Sequence, residues 1–304
     1  MSKLEKYQGV IPAFYACYDE SGSISPERTR ALARHLLEKG VKGLYVGGSS
    51  GECIYQSVAE RKVVLENVMA EVGGKLTIIA HVACNNTLDS QELAHHAESL
   101  KVDAIAAIPP IYFHLPPYGI AEYWNDISAA APNTDFIIYN IPQLAGVALT
   151  PALLDEMRKN PRVIGVKNSS MPTQDIQMWK DQGGADFVVM NGPDEQFVSG
   201  LAMGATGGIG GTYAVMPELF LKARDLFYAG KVAEAAAVQN EICRIIYKMC
   251  EAHGNLYAVM KAILAKHGVA CGGVRKPLPG LSGSDGAIVD AADAMIQKAI
   301  ATYC

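Results

Sequence analysis

Short apolar runs without polar alternation recur along the chain, and each ends in small or turn-forming residues. Strands that are covered on both faces have this continuous apolar character. The run GGIGG is weak as a strand, and it is included because it completes the series. We therefore predict eight strands, at residues 10–14, 44–48, 77–82, 104–109, 136–142, 163–167, 187–192 and 207–211.

Helical patterns fill the intervals between these runs. Ser57 followed by Glu60 is a capping box that opens a helix over residues 57–72. Ser25 before Pro26 pairs a cap residue with a first-turn proline and opens a helix to about residue 39. Further helices are predicted at about 88–99, 120–131, 173–182, 194–203 and 217–229, and from Thr150–Pro151 onward.

Eight strands alternating with eight helices in roughly 225 residues match the size of a (β/α)₈ barrel. A doubly wound sheet is the alternative, but it usually has fewer strands and a glycine-rich first turn, which the segment FYACYDESGS lacks. After about residue 230 the alternation stops, and helices are predicted at 232–253, 257–267 and 286–303. We therefore expect a barrel over residues 1–229 and a helical extension over residues 230–304.

Composition narrows the class of function. The chain carries 26 Lys and Arg against 31 Asp and Glu, a net charge of −5, so it has no basic footprint for nucleic acid or an anionic membrane. No apolar run reaches the length of a membrane span, and the first residues do not resemble a secretory signal. The seven cysteines form no CxxC pair, so we expect reduced thiols in a cytoplasmic protein.

Two polar residues stand at the ends of apolar runs, where the reactive groups of a (β/α)₈ barrel lie. Lys167 ends VIGVK, and burial there would lower the pKa of its ammonium and leave a nucleophilic amine. The alternative is a lysine whose ammonium reaches solvent. Tyr139 lies inside the run FIIYNIP, at the end of the preceding strand, and is placed to pass a proton beside the amine, or it is an ordinary core tyrosine.

Two further strand exits are rich in polar or small residues. GGSSGE, at residues 47–52, is suited to a carboxylate or phosphate, because small residues let N–H groups converge and Ser49 and Ser50 add hydroxyls. A tight turn that needs glycine is the alternative. Asp194 and Glu195 in NGPDE are suited to the hydroxyls of a sugar, or to the dipole of a following helix. No metal-ligand cluster or cofactor fingerprint is visible, so neither a metal nor a cofactor is expected.

The motifs GGSSGE, YNIP and VIGVKNSS, in that order and spacing, resemble the pyruvate-dependent class I aldolases typified by dihydrodipicolinate synthase and N-acetylneuraminate lyase. The resemblance runs from GVIPAF to the C-terminal helices. It implies a (β/α)₈ barrel with a three-helix extension, no cofactor and a homotetramer. The stretch 139–150 resembles the sialic acid branch, because residues 143–146 hold no arginine where the synthase branch usually carries one.

By position, the resemblance implies that Lys167 forms the Schiff base and that Tyr139, with Ser50, transfers protons. Gly211 stands where the sialic acid branch usually has a serine that touches the glycerol chain, so we expect an altered recognition of that chain. The substrate-binding positions implied are Ser49 and Ser50 on the pyruvoyl carboxylate, and Ser169, Gly192, Asp194, Glu195 and Gly211 at the sugar.

The function that the resemblance implies is the reversible cleavage of N-acetylneuraminate into N-acetylmannosamine and pyruvate. Three alternatives stay open at this point, and one of them is a barrel with a purely structural role. The chain is otherwise a dihydrodipicolinate synthase or another aldolase of 2-keto acids, including keto-deoxy sugars. In a different class, it is a protein that binds a sugar acid without turnover.

Overall fold

Eight parallel strands form a barrel at the centre of the computed structural model, which describes residues 4–304. Each strand pairs with its neighbours in the order β1-β8-β7-β6-β5-β4-β3-β2. Between β1 and β2, the N–H of Lys42 donates to the carbonyl of Val10 at 2.9 Å, and the N–H of Phe14 donates to that of Tyr45 at 2.9 Å. The strands are β1 (Val10–Pro12), β2 (Gly43–Val46), β3 (Thr77–His81), β4 (Ala104–Ala107), β5 (Asp135–Asn140), β6 (Val163–Asn168), β7 (Val188–Asn191) and β8 (Gly207–Gly210). The predicted (β/α)₈ barrel is confirmed.

Helices connect successive strands and surround the barrel. Ser57 and Glu60 form the predicted capping box, and Ser25 caps the first helix by accepting from the N–H of Arg28. The helices are α1 (Pro26–Glu38), α2 (Val58–Val72), α3 (Thr87–Ser99), α4 (Pro117–Ala129), α5 (Pro142–Ala145), α6 (Pro151–Met157), α7 (Gln174–Gly183), α8 (Phe197–Ala202), α9 (Pro217–Tyr228), α10 (Val232–Cys250), α11 (Leu256–Lys266) and α12 (Gly286–Tyr303).

The core has two layers, which explains why the strands are apolar without alternation. One set of side chains fills the barrel interior, including Ile11, Ile79 and Met190. The other set packs between the strands and the surrounding helices. Close packing against the segment before β1 explains why β8 contains glycine at residue 207. A Cβ on Gly207 would lie 2.2 Å from the carbonyl oxygen of Gly9, so β8 can approach β1 only because residue 207 has no side chain.

The helical extension packs against one side of the barrel and reaches its carboxyl end. Gln239 on α10 donates from Nε2 to the carbonyl of Asp194 at 3.1 Å, and it accepts at Oε1 from the N–H of Val198 at 3.0 Å. The loop after β7 is therefore held by the extension. In the part of the chain that the structure describes, every helix is too short or too polar to cross a membrane.

Candidate active site

A cavity of about 320 Å³ opens at the carboxyl ends of the strands. Residues of both the barrel and the extension form its walls. A wider depression of about 560 Å³ lies at the opposite end of the barrel, but the site residues predicted from the sequence do not line it. All nine of them line the cavity at the carboxyl end: Ser49, Ser50, Tyr139, Lys167, Ser169, Gly192, Asp194, Glu195 and Gly211.

Lys167 projects from β6 into this cavity and is 4% exposed. Its Nζ lies 3.9 Å from the centroid of the Tyr139 ring and 4.1 Å from that of Tyr45. Burial lowers the pKa of the Lys167 ammonium to about 7, and the carboxylate of Asp194 acts in the opposite direction. A substantial fraction of the amine is therefore unprotonated and nucleophilic at neutral pH.

Tyr139 lies beside this amine because β5 and β6 pair with Tyr139 opposite Lys167. Burial raises the pKa of the Tyr139 phenol to about 12, and hydrogen bonding by the Ser49 and Ser169 hydroxyls opposes that rise. The ring also stands edge-on to His81, with centroids 5.9 Å apart. The phenol is protonated at neutral pH, and it can donate a proton and take one back.

The serine turn follows β2 and forms one wall of the cavity. Ser49–Gly51 is a single helical turn, and Ser50 is 4% exposed. Burial raises the pKa of the Tyr257 phenol on α11 to about 12, and hydrogen bonding with the Ser50 hydroxyl opposes that rise. The two serine hydroxyls give this wall the donors that a carboxylate needs.

The opposite wall carries the acidic residues after β7. Oδ2 of Asp194 accepts from the N–H and from the Oγ1 of Thr212, both at 2.6 Å, so this carboxylate is fixed by the loop after β8. Burial raises the pKa of Asp194 to about 6, and these hydrogen bonds oppose the rise. Glu195 is exposed at the rim.

Two glycines set the shape of this wall. A Cβ on Gly192 would lie 2.0 Å from the Oγ of Ser169, so this serine can stand there only because residue 192 has no side chain. A Cβ on Gly211 would lie 3.0 Å from the Oγ of Ser50. The absence of a side chain at residue 211 therefore leaves the Ser50 hydroxyl uncrowded.

Several cavity or neighbouring residues were not predicted from the sequence. Tyr257 and Met260 reach the cavity from α11, and Gln143 and Leu144 reach it from α5. The asparagine cap and apolar pattern of α11 indicate a helix, but they contain no signal for where it docks. His81 ends β3 behind Tyr139, and its Nδ1–H donates to the carbonyl of Gly47 at 2.8 Å. Its position at a strand end is the signal that could have identified it.

Fold and cavity together define a (β/α)₈-barrel protein of the class I aldolase type, with a buried lysine and phenol at the carboxyl ends of adjacent strands. The model of the dihydrodipicolinate synthetase family matches residues 6–292. The chain belongs to this family.

Two relatives with similar sequences are both named N-acetylneuraminate lyase. The chain is 67% identical over 297 residues to the N-acetylneuraminate lyase of Mediterraneibacter gnavus, covering 97% of this chain and 94% of the relative. It is 37% identical over 242 residues to the N-acetylneuraminate lyase of Salmonella typhimurium, covering 79% and 80%.

Solved structures agree with these sequence relatives. The sialic acid aldolase of Ruminococcus gnavus, solved as a catalytic lysine mutant, matches with a TM-score of 0.99 at 66% identity and covers 100% of both chains. The N-acetylneuraminate lyase of Proteus mirabilis matches with a TM-score of 0.89 at 29% identity, covering 96% of this chain and 98% of that one.

Proposed function

We propose that this protein is a Schiff-base-forming lyase that reversibly cleaves N-acetylneuraminate into N-acetylmannosamine and pyruvate. The observation that carries the proposal is the buried amine of Lys167, with its pKa lowered to about 7, beside the Tyr139 phenol in a cavity. The names of the similar proteins support it, including a sialic acid aldolase described by its catalytic lysine.

The first step is the attack of the Lys167 amine on the C2 ketone of the open-chain sugar acid. Ser49 and Ser50 hold the carboxylate next to that ketone. The resulting carbinolamine loses its hydroxyl as water, with the proton given by the Tyr139 phenol. The product is an iminium, which draws electrons from the neighbouring carbon atoms.

The second step breaks the bond between C3 and C4. The Tyr139 phenolate removes the proton of the C4 hydroxyl, and the electron pair of the C3–C4 bond moves into the iminium. N-acetylmannosamine leaves as the aldehyde. The remaining enamine takes a proton at C3 from the Tyr139 phenol. Water then hydrolyses the iminium to pyruvate and the free amine, and the released proton returns to the Tyr139 phenolate. Proton transfer by a positioned group contributes about 10²–10⁴-fold.

The wall at the other side of the cavity supports a sugar as the leaving aldehyde. Asp194, Glu195 and Ser169 offer hydrogen-bonding oxygens to hydroxyl groups. After β5, Gln143 and Leu144 line the cavity, where the synthase branch usually carries an arginine for the carboxylate of its second substrate. This difference favours the lyase over a dihydrodipicolinate synthase.

Reduction of the Schiff base tests the chemistry. Incubation with pyruvate and borohydride should add one reduced pyruvoyl group, which peptide mass spectrometry maps to Lys167. Lys167→Ala should give no adduct, and Lys159→Ala, at an exposed lysine, should give the wild-type adduct. The proposal is contradicted if the wild-type protein stays unlabelled or if the adduct persists in Lys167→Ala.

A second assay tests the substrate. Pyruvate release, coupled to lactate dehydrogenase, is measured with N-acetylneuraminate and with keto-deoxy-sugar acids, and condensation of pyruvate is measured with aspartate semialdehyde. We expect the highest kcat/KM with N-acetylneuraminate. A higher value with another keto acid would move the protein to another branch of the family, and binding without turnover would make it a sugar-acid binding protein.

The family resemblance also leads us to propose a cytoplasmic homotetramer that needs neither a metal nor a cofactor. The seven free cysteines support a reducing compartment. The exposed aromatic side chains of Tyr112 and Phe113 support contacts between subunits. Light scattering after size-exclusion chromatography should give four times the chain mass of 32.5 kDa, and a monomer mass would contradict the assembly.

A further inference from the structure

A buried ion pair that takes no part in the steps above joins the serine turn to the helical extension. Nζ of Lys261 lies 2.6 Å from Oε1 of Glu52, and both side chains are 0% exposed. Glu52 comes two residues after Ser50, and Lys261 lies on α11, one helical turn after Tyr257. Residues four apart share one face of a helix, so α11 meets the turn at two points.

Each of the two charges has a further hydrogen-bond partner in the part of the chain that the structure describes. Nζ of Lys261 also donates to the carbonyl of Gly273 at 2.7 Å. Oε2 of Glu52 accepts from the N–H of Arg275 at 2.8 Å and from the hydroxyl of Tyr18 at 3.2 Å. Buried ion pairs add little net stability over apolar replacements, but they can fix one arrangement of the parts that they join.

The backbone at Glu52 makes such fixing necessary. Glu52 has a φ of 54°, in the left-handed region that side chains other than glycine avoid. A strained backbone of this kind persists only where its surroundings hold it. The contacts of the Glu52 carboxylate with Lys261 of α11 and with the N–H of Arg275 supply that hold.

We propose that Glu52 and Lys261 are positioning residues for the substrate carboxylate. The ion pair holds the Ser50 hydroxyl against Tyr257 and aims the serine turn at the bound keto acid. This inference rests on the proposed function and deepens it, because it explains why the carboxylate site requires the extension.

The test replaces the ion pair by neutral side chains of similar length, in Glu52→Gln/Lys261→Met. We expect a folded protein whose KM for pyruvate and for N-acetylneuraminate rises about 10- to 100-fold, with kcat changed far less. Borohydride trapping should need the correspondingly higher pyruvate concentration and still reach full labelling of Lys167. Loss of stability alone would not produce this separation of KM from kcat.

A matched control disturbs α11 away from the turn. Lys266→Met/Asp293→Asn removes an ion pair of 3.0 Å between α11 and α12, and it should leave KM unchanged. If the first double variant does not fold, Glu52→Gln alone is tested for the same rise of KM with little change in kcat. Wild-type KM in a folded Glu52 variant overturns this inference, and so does an equal rise of KM in the control. Absence of a pyruvate adduct in the wild-type protein would instead overturn the proposed function.

Discussion

Tyr139 and Lys167 stand opposite each other on adjacent strands, with the lysine nitrogen 3.9 Å from the centre of the phenol ring. An aromatic ring face attracts an ammonium, and a second ring, that of Tyr45, lies at 4.1 Å. Burial nevertheless dominates and lowers the pKa of Lys167 to about 7. The arrangement holds the amine in place and still allows it to lose its proton.

The first prediction concerns the pH dependence of catalysis. In the proposed mechanism the free amine attacks the ketone, so kcat/KM should rise as Lys167 loses its proton and level off above pH 7 to 8. The measurement is kcat/KM for N-acetylneuraminate from pH 5.5 to 9. A kcat/KM that still rises without levelling off at pH 9, as the ordinary pKa of a lysine near 10 would give, would show that burial does not control this amine.

The second prediction concerns stability. Between pH 7 and 10.5 the unfolded chain binds a proton at residue 167 that the native protein does not, so this group makes wild-type stability rise with pH. Lys167→Met lacks the buried ammonium. It should abolish turnover and raise the free energy of unfolding at pH 7 by about 2–5 kcal/mol, with the gain shrinking toward pH 10.

Urea unfolding of both proteins at pH 7 and pH 10 provides the measurement. Lys159→Met serves as the control, because Lys159 is exposed and its replacement should shift stability by no more than about 0.5 kcal/mol. An equal gain at both pH values would contradict the burial argument.

The third prediction separates two buried phenols. Tyr139→Phe should lower kcat by about 10²–10⁴-fold with little change in melting temperature, because the ring stays and only the proton donor is lost. Tyr123 is the matched control: burial raises its pKa to about 12 as well, but its hydroxyl donates to the carbonyl of Cys84, outside the cavity.

Tyr123→Phe should keep the wild-type kcat and lose about 0.5–1.5 kcal/mol of stability with its hydrogen bond. Steady-state kinetics and thermal melting of the two variants give the comparison. Wild-type turnover in Tyr139→Phe would exclude this phenol from proton transfer.

The fourth prediction concerns the close approach at Gly192. A Cβ there would lie 2.0 Å from the Oγ of Ser169 and 2.7 Å from the carbonyl oxygen of Asn168, so Gly192→Ala must displace the serine or the backbone. We expect about 1–3 kcal/mol of destabilisation and a KM for N-acetylneuraminate raised about tenfold or more. Gly280→Ala, where a Cβ meets nothing within 4 Å, should change neither quantity, and a normal KM in Gly192→Ala would contradict the steric argument.

The barrel could be predicted from the sequence because its strands and caps are local patterns. All eight predicted strands are present, including the weak run at β8. The strand predicted over 136–142 ends instead at Asn140, because Pro142 begins the short helix α5. The apolar residues of this segment did not indicate a helix. The helix predicted over 194–203 begins with a 3₁₀ turn at Asp194–Gln196 before α8.

The walls of the cavity were predictable only where residues end strands. The barrel fixes the ends of β2, β5, β6, β7 and β8 at one rim, so Lys167, Tyr139 and the serines could be expected to meet there. The contribution of α11 depends on docking between distant parts of the chain. Glu52 and Lys261 are 209 residues apart, and the sequence around each of them does not indicate that they form an ion pair.

The two hydrogen bonds between the Gln239 amide and the segment after β7 have a consequence for engineering the chain. A protein cut after residue 229 would lack the amide that supports the acidic wall, together with the tyrosine that faces the serines. An extension grafted from a relative would therefore have to supply an amide at this position to keep the acidic wall in place. Barrel and extension have to be redesigned as one unit.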